Sequence, residues 1–206
     1  MRRAASAIVS RNFGAAMPNL RSVAVAANDK LWDGLIGVDT AGADCRPTTY
    51  HVLRSLFRKL PLTAADHFID IGCGRGRALC LAAQQPVATV TGVEIVPEHA
   101  AAARRNLERM YGRKAGNWSV LTSSASDLDL SGGTIFYLYN PFQGSLFAQV
   151  VDNIRRNASQ ARRPIRVVYV NPICRDMLDA ADWLAPAEAL HRDRQGNVAA
   201  LLYRSR

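Results

Sequence analysis

The stretch Phe68-Ile69-Asp70-Ile71-Gly72-Cys73-Gly74-Arg75-Gly76-Arg77 constrains the fold more than any other part of this 206-residue chain. A short β-prone run, His67 to Ile71, carries an acid near its end and enters a turn with glycine at alternate positions. Arg77 to Ala83 then reads as helix, up to Pro86. Strand, glycine turn and helix in this order open a parallel α/β sheet, whose ligands bind at the carboxyl ends of the strands. Glycines there let the backbone turn tightly and approach a ligand with no Cβ in the way. The helix start offers N–H groups to an anion.

The rest of the chain continues the alternation. Leu53, Leu56, Phe57 and Leu60 recur at helical spacing, with Thr48 as N-cap and Pro61 as stop. Ala88 to Ile95 is a β-branched strand. Pro97 opens a helix with Ala100, Ala103, Leu107 and Met110 on one face, closed by Gly112. Trp118–Thr122 and Thr134–Tyr139 follow as strands, then a helix over Leu146–Ile154 with Leu146, Phe147, Val150, Val151 and Ile154 inward. Ile165–Val170 is the next strand, followed by a helix around Met177–Leu184. Strands near Ala189–Arg192 and Val198–Tyr203 flank a Gln195-Gly196-Asn197 turn. The pattern predicts an α/β, Rossmann-like, doubly wound and mainly parallel seven-stranded sheet. Helices cover both faces, and the closing hairpin makes the last strand antiparallel.

A chain of this size fits one domain. With 49% hydrophobic and 21% charged residues, and no apolar run near the roughly 20 residues a span requires, it reads as a soluble protein without a membrane segment. The net charge of +9 comes mainly from arginine, including Arg104-Arg105, Arg155-Arg156 and Arg162-Arg163, and favours polyanions. Ordinary solvated arginine faces explain the same charge. Cys45, Cys73, Cys80 and Cys174, with His51, His67, His99 and His191, show no metal-ligand spacing, so no metal is expected, and a reducing cytoplasmic setting is. Residues 1–28 contain no acid and look like a targeting segment, a mobile extension, or the product of a start upstream of Met17. The single domain is expected over 29–206, with a lead helix or lid at about 29–62.

A nicotinamide-binding G-x-G-x-x-G fingerprint would need glycine at position 77, where Arg77 stands, and no G-K-[ST] follows for a phosphate loop. Glu94 ends the second strand, twenty-four residues after Asp70, where an acid can accept two ribose hydroxyls. Asp-Ile-Gly-Cys-Gly-Arg-Gly followed by Gly92-Val93-Glu94 resembles the class I S-adenosylmethionine-dependent methyltransferases, over roughly Pro47 to the C-terminus. The resemblance implies S-adenosyl-L-methionine as cofactor. Asp70, Gly72, Cys73, Gly74 and Gly76 would surround its methionyl part, with Glu94 on the ribose and Ile95 beside it. Ser124-Ala125 stands at the adenine position, where members of the family commonly carry an acid. Serine accepts a hydrogen bond without charge assistance, and Asp127 is the alternative acid.

Tyr139-Asn140-Pro141-Phe142 ends the fourth strand at the same sheet edge. Asn140, Pro141 and Phe142 resemble the N-P-P-[FY] signature of amino-methylating members, with Phe142 in place of the second proline. The resemblance implies that the Asn140 oxygen and the next carbonyl accept amine N–H bonds, while Phe142 packs on the acceptor. A plain strand end with Asn140 capping a helix is the other reading. Gly37-Val38-Asp39-Thr40 and Arg46-Pro47-Thr48 resemble a preamble found in little-characterised bacterial members, which suggests a lid over the donor. The expected activity is methylation of an amine nitrogen on a protein side chain or small molecule. The alternatives are a nucleic-acid base, RNA included, as acceptor, and a protein that binds S-adenosylmethionine without catalysis.

Overall fold

The computed structural model describes residues 29–31, 33–34, 47–111, 117–161 and 163–206. The segment 1–28, the Gly37–Thr40 motif, Arg46 and Gly112 lie outside the described residues. Helix α1 (Tyr50–Lys59) leads into β1 (His67–Ile71), α2 (Arg77–Ala82), β2 (Thr89–Glu94), α3 (Pro97–Tyr111), β3 (Trp118–Thr122), β4 (Ile135–Tyr139) and α4 (Gly144–Gln160). β5 (Arg166–Val170), α5 (Arg175–Asp179), β6 (Glu188–Arg192) and β7 (Val198–Arg204) complete the chain.

The strands form one seven-stranded sheet in the order β3-β2-β1-β4-β5-β7-β6. β7 runs antiparallel to both neighbours and the remaining pairs are parallel. The chain leaves β1 toward β2 on one side and returns to β4 on the other. The carboxyl ends of β1, β2 and β4 therefore surround the crevice where a doubly wound sheet binds its ligand.

Side-chain alternation divides the core between the two faces. On one face Phe68 and Tyr137 meet Leu53 and Leu56 of α1, Leu79 of α2 and Leu107 of α3. On the other, Ile69, Ile71, Phe136 and Tyr169 meet Phe147, Val150 and Ile154 of α4 and Leu178 of α5. The parity sends Asp70 toward the α1 face and Tyr169 toward the α4 face, an assignment on which the site depends.

Several local expectations are corrected. Thr49, not Thr48, occupies the N-cap of α1, its hydroxyl accepting from the Val52 N–H at 3.5 Å. Thr48 turns inward and bonds the Tyr137 hydroxyl at 2.6 Å. The helix expected around 177–184 is the shorter α5, because Leu184 is drawn into a bridge with Ser205. On α4, Leu146 and Val151 are half-buried, and Asn153 and Asn157 take inner positions. Asn153 donates to the Ala125 and Leu128 carbonyls and Asn157 to the Gly133 carbonyl, so their burial leaves no amide unpaired.

Arg77, conspicuous in the sequence as the residue that breaks a dinucleotide fingerprint, is a buried clamp. Its guanidinium donates to both oxygens of Asp33 at 3.1 and 2.6 Å, to Asp29 at 3.0 Å and to the Thr48 carbonyl at 3.3 Å. It also lies 4.7 Å above the Tyr50 ring. The Tyr50 hydroxyl donates to Asp33 and its N–H to Asp29. The helical residues 29–31 and 33–34 are thereby tied to the helix that follows the glycine turn. Breaking a buried ion pair from one side costs about 3–5 kcal/mol, because the partner charge stays behind. Arg77→Met strands two carboxylates, and thermal unfolding is expected to shift down by on the order of 10 °C. A loss below about 2 °C would show that the clamp is not structural.

Candidate active site

At the carboxyl ends of β1, β2 and β4 lies a cavity of about 720 Å³, a size typical of small-molecule sites. Gly72 and Gly74, Glu94 to Val96, Ser123 to Ala125, and Tyr139 to Phe142 contribute to its walls. The structure thus brings together most of the residues that the sequence points to. Asp70 and Cys73 border a small recess beside it, shared with Thr48, Arg77 and Tyr137, and Gly72 and Gly74 line both spaces.

The glycine turn is fixed from three sides. The N–H groups of Gly72 and Cys73 both donate to the Val93 carbonyl, at 2.8 and 3.0 Å, and that of Gly74 donates to a Glu94 carboxylate oxygen at 2.8 Å. Gly72 has φ +77°, and a side chain there would start 2.6 Å from the Pro141 Cβ. The turn after β1 therefore rests on the turn after β4, which brings Asn140 beside the glycines. Gly76, at φ +83°, does not reach the cavity. The place where its Cβ would stand is 3.0 Å from the Ala103 Cβ, so this glycine serves the packing of α2 on α3. The N–H groups of Gly72, Cys73, Gly74 and Gly76 are all spent on protein acceptors, so the turn offers fewer donors to an anion than the glycine pattern suggests.

Two carboxylates differ in their surroundings. Glu94 accepts the Gly74 N–H on one oxygen and the Val96 N–H, at 2.9 Å, on the other, which leaves each oxygen a further lone pair for the cavity. Asp70 is buried at 3% exposure, and no described residue donates a hydrogen bond to it. Burial first, and the charge of Glu94 second, push its carboxyl up to about 8. Such a group calls for a cation, and an α-ammonium or a sulfonium supplies one. Ile95 is 65% exposed and Val96 37%, an apolar flank for a flat ring. Ser124 and Ala125 lie on the wall; the Ser124 hydroxyl is paired with that of Ser126 at 2.7 Å. Asp127 is exposed, accepts from the Ser126 hydroxyl and lines a separate groove, so it does not stand in for the acid missing at Ser124.

On the β4 side Asn140 has φ +39°. It is not a helix cap, because α4 starts later and Gln143 occupies its cap position. The Tyr169 hydroxyl accepts the Cys174 N–H at 3.2 Å and donates to Asn140 Oδ1 at 3.4 Å. Burial pushes the Tyr169 phenol up to about 12, so it keeps its proton. Phe142 is half-buried on the cavity wall, 6.3 Å centre to centre from the Phe147 ring. The sequence pattern did not single out His99, Leu146, Asn171 or Ile173 for the site, and these also line the cavity. The one available signal was the Asn171-Pro172 dipeptide, which repeats Asn140-Pro141 at the end of the next strand.

Sheet order, the fixed acid-glycine turn and a cleft at the switch point define a class, and residues 68–166 match the family model described as a methyltransferase domain. Residues 68–166 thus form a methyltransferase domain, on the seven-stranded fold of the class I S-adenosylmethionine-dependent methyltransferases, whose cofactor is S-adenosylmethionine. Among solved structures the chain is similar to yhhF from Escherichia coli, a protein assigned to the methyltransferases. That likeness has 23% identity and a TM-score of 0.61 and covers 80% of this chain and 90% of that one. It is also similar to an RNA methyltransferase from Salinibacter ruber crystallised with S-adenosylhomocysteine, at 20% identity and a TM-score of 0.53, covering 78% and 92% of the two chains. Over 51 residues it is 47% identical to an uncharacterized RNA methyltransferase of Streptococcus mutans, a match over 25% of this chain and 11% of that relative's length. No helix among the described residues is long and apolar enough to cross a membrane.

Proposed function

We propose that the protein methylates an amine nitrogen, with Asn140 and Pro141 orienting the acceptor and Phe142 packing against it. The observation that carries this reading is the contact of the Pro141 turn with the Gly72 turn. It sets Asn140, whose carboxamide carries a hydrogen-bond acceptor, beside the donor cleft. On the donor side Asp70 faces the methionyl ammonium, with the Gly72, Cys73 and Gly74 backbone around it. Glu94 takes the ribose hydroxyls, and Ile95, Ser124 and Ala125 border the adenine.

S-adenosylmethionine, when bound, supplies an electrophilic methyl group on a sulfonium. The protein's task is then to hold a nitrogen lone pair in line with that methyl and to keep water out. Asn140 Oδ1 accepts one amine N–H and the adjacent main-chain carbonyl accepts another, which leaves the lone pair directed at the cleft. Tyr169 fixes which end of the Asn140 amide faces the acceptor. With a neutral amine no general base is required for attack, whereas a lysine ammonium must first lose a proton from a group whose reference pKa is about 10.4.

A nucleobase amine as acceptor is the second reading. It is favoured by the charge of +9 and by two similar proteins described as RNA methyltransferases. Both readings are tested by incubating the protein with tritium-labelled S-adenosylmethionine and amine probes, then locating the label by mass spectrometry. Label on nitrogen is the expected outcome. Label on oxygen or carbon would overturn amine methylation while leaving the class intact.

A further inference from the structure

Among the described residues, Asn140 and Asn171 are the only non-glycine positions with positive φ, at +39° and +48°. Both stand immediately after a strand, and β4 and β5 are parallel neighbours in register, with Tyr139 opposite Val170. The two asparagines are consequently side by side at the carboxyl edge of the sheet, about 5 Å apart in the strand-to-strand direction. Each is followed by proline and then by an apolar residue on the cavity wall, half-buried Phe142 in one turn and Ile173, 57% exposed, in the other.

The two turns are coupled. The Cys174 N–H, one residue past Ile173, donates to the Tyr169 hydroxyl, whose own proton goes to Asn140 Oδ1. The Asn171 main chain is fully engaged, its N–H donating to the Ala199 carbonyl and its carbonyl accepting from the Ile173 N–H, both at 2.9 Å. Its side chain bonds no described residue and lines the cavity. Glycine would take this backbone conformation without strain, so what asparagine adds here is a carboxamide.

We infer that Asn171 is a specificity-determining residue of the acceptor site, reading the edge of a planar amine whose ring carries a nitrogen acceptor beside the amino group, as nucleobases do. The inference rests on the proposed amine methylation and narrows its substrate class. Asn140 Oδ1 accepts an amine N–H, while the Asn171 amide donates to the neighbouring ring nitrogen. A carboxamide has both kinds of group, which is how asparagine matches a base edge. An aliphatic ammonium carries donors alone and leaves the Asn171 donors without use. Phe142 and Ile173 both line the cavity and offer apolar surface on which a flat ring can pack.

The experiment measures methyl transfer from tritium-labelled S-adenosylmethionine to three kinds of probe. These are free adenosine, cytidine and guanosine, single-stranded 20-nucleotide RNAs containing each base, and a lysine peptide. Wild type is compared with Asn171→Gly, which keeps the left-handed backbone and removes only the carboxamide. The expected result is label on a base amine. In Asn171→Gly the KM for that probe should rise about 10- to 100-fold, with kcat within about threefold and the donor Kd unchanged, a split that a merely structural role would not give. Transfer to nucleosides as well as RNA identifies the free base as sufficient; transfer to RNA alone identifies the strand as the source. Label on the peptide alone overturns the inference while amine methylation stands. Label on no base, or an unchanged KM in the variant, also overturns it, and label on oxygen or carbon overturns both.

Discussion

Asp70→Asn is expected to weaken S-adenosylmethionine binding by at least tenfold and, at the same time, to stabilise the ligand-free protein. The two effects have one cause. Buried without a described hydrogen-bond donor and close to Glu94, the Asp70 carboxyl is pushed up to about 8, so near pH 7 it is mostly protonated until a cation arrives. Binding an ammonium then requires ionisation. Donor affinity should rise with pH up to about 8, by at most tenfold per unit, and fall above it as the donor's own amino group, with a reference pKa of about 7.7–8.0, is deprotonated. In Asp70→Asn the acid limb is flat. Stability runs in the other direction. Between the unfolded pKa of about 3.9 and the folded value of about 8 the unfolded chain has released a proton that the folded chain still holds, so stability falls as pH rises through that window. The asparagine variant lacks this loss, and its Tm should exceed that of wild type at pH 8 by more than at pH 5. Isothermal titration across pH 6–9 and thermal melts at the two pH values check both limbs. A variant that binds the donor within twofold of wild type, with the same pH profile, removes Asp70 from the ammonium site.

The same residue shows what the sequence could and could not reveal. Asp70 and the glycines after it were legible because a strand-acid-glycine-helix succession is local, and the alternation of strands and helices was legible because period 2 and period 3.6 differ plainly over five or more residues. The missing parts are long-range. Arg77 looked like a departure from a glycine fingerprint; its partners Asp33 and Asp29 stand 44 and 48 residues away, and no local pattern joins them. Thr48 and Thr49 have the same capping propensity, and only the Tyr137 hydroxyl, 89 positions from Thr48, decides which one turns inward. Leu178, Ala181 and Leu184 have helical spacing, yet Leu184 bridges Ser205 at the far end of the chain. Asn171-Pro172 was visible as a dipeptide. Its place beside Asn140 follows from the β4–β5 register, which a sequence pattern does not contain.

Asn140→Gly is the variant expected to reduce turnover most without touching the donor. Glycine keeps the left-handed backbone at +39°, so Pro141 stays against the Gly72 turn and the donor Kd should remain within about twofold. What is lost is the oxygen proposed to accept the amine N–H. Misplacing a reacting group by about 1 Å can cost on the order of 100-fold in rate, so methyl transfer to whichever probe the wild type labels should fall by about 100-fold or more. Tyr169→Phe separates presence of that oxygen from its orientation. Phenylalanine fills the same space between Phe147 and the sheet, where the two rings stack at 5.3 Å, but gives up the bond to Asn140 Oδ1. The amide is then free to flip and offer its NH2 to the acceptor in part of the population. A loss of about 3- to 10-fold in kcat, smaller than that of Asn140→Gly and with little change in donor affinity, is the expected result. Single-turnover rates with labelled S-adenosylmethionine measure both variants. If Asn140→Gly retains more than half the wild-type rate, the amine is held elsewhere, and Tyr169 has no orienting role in the transfer.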